Sequence, residues 1–254
     1  MYKVDLNCDM GEAFAGYQLG PDAEIMPLIS SANIACGWHA GDPRVMRRTV
    51  ELALQHGVGI GAHPGYPDLL GFGRRNLGLT PEELRDYVIY QLGALLGFVR
   101  ALGGRLQHVK AHGAMYNQAA ADQRLARAFC EAVASFDQSL VLVGLAGSHL
   151  ISEAERIGLS TASEVFADRG YLPNGSLVPR NQPGAVLHDS QQVVDRVVEM
   201  VTKSHVKTND GTVISLQADT ICVHGDTPEA LQHLKTLRAG LQQRGIQVAN
   251  WSGR

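Results

Sequence analysis

Lys110 stands between two histidines in the stretch HVKAH (108–112), and other groups able to move protons or hold charge cluster just as tightly. Asp9 and Glu12 close the stretch DLNCDMGE, His39 sits in GWHAGDP, and His63 precedes the rigid turn PGYP. Residues of these types can serve an active site: a carboxylate can accept a proton, a lysine carries a positive charge, and an imidazole carries a proton near neutral pH. Asp9, Glu12, His39, His63, Lys110 and His112 are therefore the candidate catalytic residues. Plainer roles compete with these: a cap or turn for Asp9 and Glu12, and a tight turn for His39. Lys110 is the hardest to explain structurally, because a buried ammonium requires a carboxylate partner or a task.

Short apolar runs alternate with amphipathic helical segments along the chain. The expected strands are KVDLNCD, SANIACG, GVGIGAH, LQHVKAH, SLVLVGLA, STASEVFA and DTICVHG. Asp42 before Pro43 and the Thr80-Pro81-Glu82-Glu83 capping box mark helix starts, and Gly57 marks an end. Further helices are expected from about Asp122, His149, Ser190 and Thr227. This order predicts an α/β fold with an irregular seven-stranded parallel (β/α) barrel, as one domain over residues 1–254. TVISLQ and IQVAN could add strands, which leaves seven or eight open.

Side chains two apart on a strand face the same way. That phase puts Asp5, Asn7 and Asp9 together, as it does Asn33 with His39, Gly59 with Gly61 and His63, and His108 with Lys110 and His112. Cys222, His224 and Asp226 form a fifth set. The polar sets point inward and the aliphatic residues outward, which implies a polar cavity at the carboxyl ends of the strands, with Gly59 and Gly61 leaving room in it. Asp5, the deeper carboxylate, reads as a structural acceptor. His108 and His112 lie roughly 13 Å apart on a strand, too far to share one metal ion. Asn7, Asn33, Asp42, Arg74, Arg75, Asp168, Arg169 and His224 are the candidate substrate-binding residues. The paired arginines could grip a carboxylate, and the long segment 168–188 has the character of a lid.

The formal net charge of −3, without a basic run, speaks against a nucleic-acid surface. Neither a signal peptide nor a membrane-length apolar run is expected. Four scattered cysteines suggest no disulfide framework and a reducing cytoplasm. P-loop, dinucleotide and nucleophile-elbow motifs are all missing from the sequence.

The stretches DLNCDMGE, SSANIACGWHAGDP, GAHPGYPDLLGFGRR and HVKAHGAMYN resemble the signatures of the LamB/YcsF family, and the likeness continues through EVFADRGY and VHGDTPEA. Ala111, where the family usually has proline, and Trp38, where phenylalanine is commoner, are departures expected to face away from the cavity. The resemblance implies a barrel of the glycoside hydrolase/deacetylase type. It further implies the A-subunit role in ATP-dependent opening of 5-oxo-L-proline, or its phosphorylated form, to L-glutamate, with two further subunits, B and C. The reading leaves room for a homo-oligomer. In this scheme Lys110→Met abolishes activity without unfolding the chain. Two other readings stand beside it. One is a stand-alone amide or lactam hydrolase or deacetylase, with Asp9, His39 and His63 as ligand types for a divalent metal. The other is a non-catalytic binding or regulatory subunit.

Overall fold

A computed structural model describes residues 1–17, 20–179, 181–223 and 230–251. Strand β1 (Tyr2–Met10) leads through the short α1 (Asp22–Ile25) to β2 (Ser31–Ala35), α2 (Pro43–His56) and β3 (Gly59–His63). Then come α3 (Pro81–Ala101), β4 (Leu106–Lys110), α4 (Gly113–Ala121), α5 (Gln123–Phe136) and β5 (Val141–Leu145). The chain continues through α6 (His149–Arg156), β6 (Ser160–Phe166), α7 (Ser190–Lys203), β7 (His205–Lys207) and β8 (Val213–Ser215). It closes with β9 (Thr220–Cys222), α8 (Ala230–Gln243) and β10 (Ile246–Val248).

The expected helix boundaries follow from local chemistry. Asp42 Oδ1 accepts from the Arg44 and Val45 amides at the start of α2, and Gly57 ends that helix at φ 65°. Both halves of the Thr80–Glu83 capping box form. The stripe Leu84, Val88, Leu92, Leu95 and Val99 is buried. Helices begin next to Asp122 and at His149 and Ser190, whereas Thr227 lies outside the described residues. Among the described residues no helix is long and apolar enough to cross a membrane.

Seven parallel strands close the barrel in the order β1-β2-β3-β4-β5-β6-β9, with β9 returning to β1. Both uncertain segments are strands, but neither is an eighth stave. β8 pairs antiparallel with β7 in a separate hairpin. β10 pairs with Tyr2–Val4 of β1, below the stretch Asp5–Asn7 that β9 occupies.

The barrel interior is a stack of polar layers, where an ordinary barrel holds branched aliphatic residues. Val4, Leu6, Cys8 and Met10 of β1 are buried in the apolar core. At the bottom, Asp5 accepts hydroxyl hydrogen bonds from Ser30 (2.7 Å), Ser31 (2.6 Å) and Thr220 (2.5 Å). Above it, Asn7 Nδ2 donates to Thr220 Oγ1 (2.6 Å) and Glu164 Oε1 (3.0 Å), while Asn7 Oδ1 accepts from Asn33 Nδ2 (2.8 Å). His108 Nε2 meets Asn33 Oδ1 at 2.9 Å. Gly61 makes room for that ring, since a Cβ there would lie 2.0 Å from His108 Nε2. Gly59 likewise faces Gln107 and Ser31. These glycines accommodate neighbouring side chains, which corrects the expectation that they open space for a ligand.

Burial raises the Asp5 carboxyl to about 6, with its three hydroxyl partners pulling in the other direction. A raised carboxyl binds its proton more tightly in the native state than in the unfolded chain. Stability from Asp5 therefore increases as pH falls through about 6 towards the unfolded value, and is lost above it. Relative to Asp5→Asn, the wild type should gain roughly 1–2 kcal/mol between about pH 8 and pH 5, measured by urea denaturation. Parallel pH profiles for the two proteins would contradict this.

Candidate active site

A cavity of about 880 Å³ opens at the carboxyl ends of the strands, and Asp9, Glu12, His63, Lys110 and His112 line its inner wall. Lys110 ends β4 and is buried. Its Nζ lies 2.8 Å from Glu164 Oε1, 3.1 Å from Asp9 Oδ1, 3.3 Å from Asn7 Oδ1 and 3.2 Å from Cys222 Sγ. Burial opposes the ammonium, but the negative groups around it, Asp9 foremost, outweigh that and hold it well above the usual lysine range. Tyr116 Oη donates to the other oxygen of Glu164 at 2.7 Å. Burial also raises Asp9, yet His63 and Lys110 hold its carboxyl well below the usual carboxylate range. Asp9 is thus an ionised carboxylate with an edge on the cavity.

Beside Asp9, three buried imidazoles surround Glu12. Glu12 Oε1 lies 3.2 Å from His39 Nε2, 3.3 Å from His112 Nδ1 and 4.0 Å from His63 Nε2. Burial disfavours charge on Glu12, but its hydrogen bonds to His112 and His39 prevail and lower it. Burial and the neighbouring His112 push His39 down to about 3, leaving it a neutral ring. Close backbone positions the rings. A Cβ on Gly65 would come 2.7 Å from His39 Nδ1, and one on Gly73 2.8 Å from His112 Cδ2. Gln91, a polar residue in the buried stripe of α3, donates to and accepts from Gly65 and so fixes the turn after His63. Glu12, His39, His63 and His112 are the described residues able to hold a metal ion together. The sequence reading grouped Asp9 with His39 and His63 as ligand types. The structure places Asp9 Oδ2 3.3 Å from His63 Nε2 and Asp9 Oδ1 3.1 Å from Lys110, and it brings Glu12 and His112 together with His39 and His63 in one set. His108 stands apart from it, in line with its spacing from His112.

The candidate substrate-binding residues separate in the same way. Arg74 lines the cavity with its guanidinium 5.0 Å from the Phe72 ring. Arg75 is ion-paired with Asp68 and lies outside the lining, because the nearer carboxylate captures it. Asp42 caps α2 and accepts from the Ala15 amide (2.7 Å), so its oxygens serve backbone. Asn7 and Asn33 lie beneath the lining, in the polar stack. Asp168 is also outside the lining, and His224, like Asp226, lies outside the described residues. Arg169 lines the cavity, but its side chain donates to the Val178 (2.7 Å) and Ala185 (3.1 Å) carbonyls. It thereby ties down the 168–188 segment, which is folded around the bridges Arg169↔Val186 and Tyr171↔Leu177. Residues 174–179 form one side of the cavity. Arg180, within that segment, is outside the described residues. Ala111 contributes to the cavity wall, contrary to its expected outward phase, because β4 ends at Lys110 and the alternation ends with it. Trp38 packs on Tyr87 and Tyr90 of α3.

Glu164 was missed in the sequence. Its signal was present: in STASEVFA it shares a strand face with Ala162 and Phe166, a single acid inside an otherwise uncharged strand. Tyr116 carried no such mark.

The model of the LamB/YcsF family matches residues 4–254. A protein of Tolumonas auensis, named as the A subunit of 5-oxoprolinase, is 56% identical over 248 residues, covering 98% of this chain and 99% of that one. The Bacillus subtilis protein of the same name is 53% identical, over 98% of this chain and 96% of its own. The crystal structure of a lactam utilization protein from Thermus thermophilus superposes with a TM-score of 0.93 at 45% identity, covering 97% of this chain and 99% of that one. A putative cellobiose-phosphate cleavage protein from Enterococcus faecalis shares the fold, with a TM-score of 0.56 at 14% identity over 98% of this chain and 97% of that one. This chain belongs to the LamB/YcsF family.

Proposed function

We propose that the chain is the A subunit of an ATP-dependent 5-oxoprolinase, opening the lactam of 5-oxo-L-proline to L-glutamate in the cytoplasm together with B and C subunits. The observation that carries this reading is Lys110, a buried ammonium held between Asp9 and Glu164 at the wall of the cavity at the carboxyl ends of the strands. The names of the relatives, each the A subunit of a 5-oxoprolinase, support the substrate and the partners.

A lactam is a resonance-stabilised amide, and an ionised carboxylate such as Asp9 is a feeble base towards it. Ring opening therefore needs a more reactive carbonyl. Phosphorylation of the carbonyl oxygen by ATP supplies one, and we assign that step to the partner subunits. Here, Lys110 neutralises negative charge on the activated oxygen. Asp9 orients the water whose oxygen bonds to the carbonyl carbon, takes its proton, and returns it to the ring nitrogen as the carbon–nitrogen bond breaks; this leaves γ-glutamyl phosphate, which a second water hydrolyses to L-glutamate and inorganic phosphate. Arg74 meets the substrate carboxylate, and the wall formed by residues 174–179 screens the intermediate from bulk water.

The test is reconstitution with B and C subunits of a close relative, following ATP consumption and glutamate release separately. Glutamate should appear only when this chain is present, and Asp9→Asn should lower its release by at least ~10²-fold. Glutamate formed by the partners alone would sink the proposal, as would ring opening by this chain without ATP.

A further inference from the structure

The hydrogen bonds of His63 and His112 determine which ring nitrogens carry protons. His63 Nδ1 lies 2.8 Å from the Lys110 carbonyl oxygen, and His112 Nε2 lies 2.8 Å from the Phe72 carbonyl oxygen. A carbonyl oxygen only accepts, so both outward nitrogens hold the hydrogen. In the neutral rings the inward nitrogens, His63 Nε2 and His112 Nδ1, are then both lone-pair donors, and they face each other at 3.1 Å. Glu12 Oε1, a third electron-pair donor, lies 3.3 Å from one and 4.0 Å from the other, and His39 Nε2 is 3.2 Å from that oxygen. Three electron-pair donors, His63 Nε2, His112 Nδ1 and Glu12 Oε1, thus converge with His39 Nε2 beside the carboxylate, and a positive charge among them relieves the repulsion.

We propose that Glu12, His39, His63 and His112 bind one divalent transition-metal ion, with zinc as the representative species. Nitrogen and oxygen ligands about 2.0–2.1 Å from zinc in a tetrahedron lie about 3.3 Å from one another. The four separations given above run from 3.1 to 4.0 Å and all four ligand atoms lie within 4.8 Å of one another, so binding draws the side chains inward by about an ångström or less. Three imidazoles and one carboxylate suit zinc and its first-row neighbours, whereas magnesium and calcium favour all-oxygen shells. The carbonyls of Lys110 and Phe72 act as the outer partners that orient ligating histidines. Phe72 has φ 54°, a backbone conformation few side chains adopt, and its carbonyl is the one aimed at His112. Glu12, His63 and His112 reach the cavity wall, which provides an entry path, and His39 closes the back. This inference does not depend on the ring-opening reading, since the donor set would hold the ion whatever the substrate.

The test uses the full chain after chelator treatment, titrated with zinc in a calorimeter, with magnesium as control. We expect one zinc per chain, confirmed by elemental analysis, a rise in Tm with zinc, and no response to magnesium. Glu12→Gln and His112→Gln should each weaken zinc binding by about 100-fold or more, while His56→Gln on the surface of α2 should leave it unchanged. A flat zinc titration of the wild type would mean that a shared proton alone relieves the cluster, and would overturn the proposal. Zinc uptake unaltered in both cluster variants would place the ion elsewhere and overturn it too. The wild-type titration decides the matter even if a variant fails to fold.

Discussion

Lys110→Met should cost the protein about 3–5 kcal/mol of stability and reduce glutamate formation by at least ~10³-fold in the reconstituted complex. The stability loss revises the expectation from sequence that this change spares the fold. Lys110 is the ammonium between Asp9 and Glu164, and an apolar replacement leaves both carboxylates in the barrel without it. Removing one partner of a buried ion pair costs more than the pair contributes, because the remaining charge stays desolvated. A second substitution separates the two losses. Lys110→Met/Glu164→Gln neutralises the deeper carboxylate and should recover at least about 1 kcal/mol of the lost stability, while activity stays absent. Urea denaturation and the glutamate assay on the same preparations would show this. Full activity in the single variant would remove Lys110 from the chemistry, and unchanged stability would contradict its role as counter-charge.

Gly61→Ala should be nearly as damaging although it adds a single carbon. The new Cβ would sit 2.0 Å from His108 Nε2 and 2.2 Å from Cδ2, inside van der Waals contact with a fully buried ring. The ring would have to abandon its 2.9 Å contact with Asn33, and Asn33 in turn supports Asn7 and Asp9. Overpacking of this kind costs about 3 kcal/mol. His108→Ala alone opens a cavity, but in the double variant the two defects partly fill each other. The double variant should therefore be at least about 1 kcal/mol more stable than the sum of the single losses implies. Simple additivity across the four proteins would show that the ring and Gly61 do not share this space.

Strand phase was legible because it depends on the backbone alone. Asp5, Asn7 and Asp9 point into the barrel as their two-residue spacing requires, and the aliphatic residues between them join the buried core. The closed seven-strand parallel barrel was legible for the same reason. Partner choice was harder to read. Arg74 and Arg75 are adjacent and chemically alike, and only the fold shows Asp68 within reach of one of them. Glu12 lies beyond the end of β1, where alternation no longer applies, so its place among three histidines could not be read from spacing. His112 passes the end of β4 in the same way and becomes the residue before α4. The elements that repeat were visible, and the loops that bring Glu12, His39 and His112 together were not.

The bottom polar layer has a consequence for how the chain is made. Asp5 on the first strand is satisfied partly by Thr220 on the last stave, 215 residues later. At about 5–20 residues per second, a ribosome takes roughly 10–40 s to deliver that hydroxyl after Asp5 has been synthesised. Throughout that interval β1 lacks one of its two barrel neighbours, and its row of carboxylate and amide groups stays hydrated. The polar face that later lines the interior thus keeps the oldest segment of the nascent chain wet while it waits for its partner.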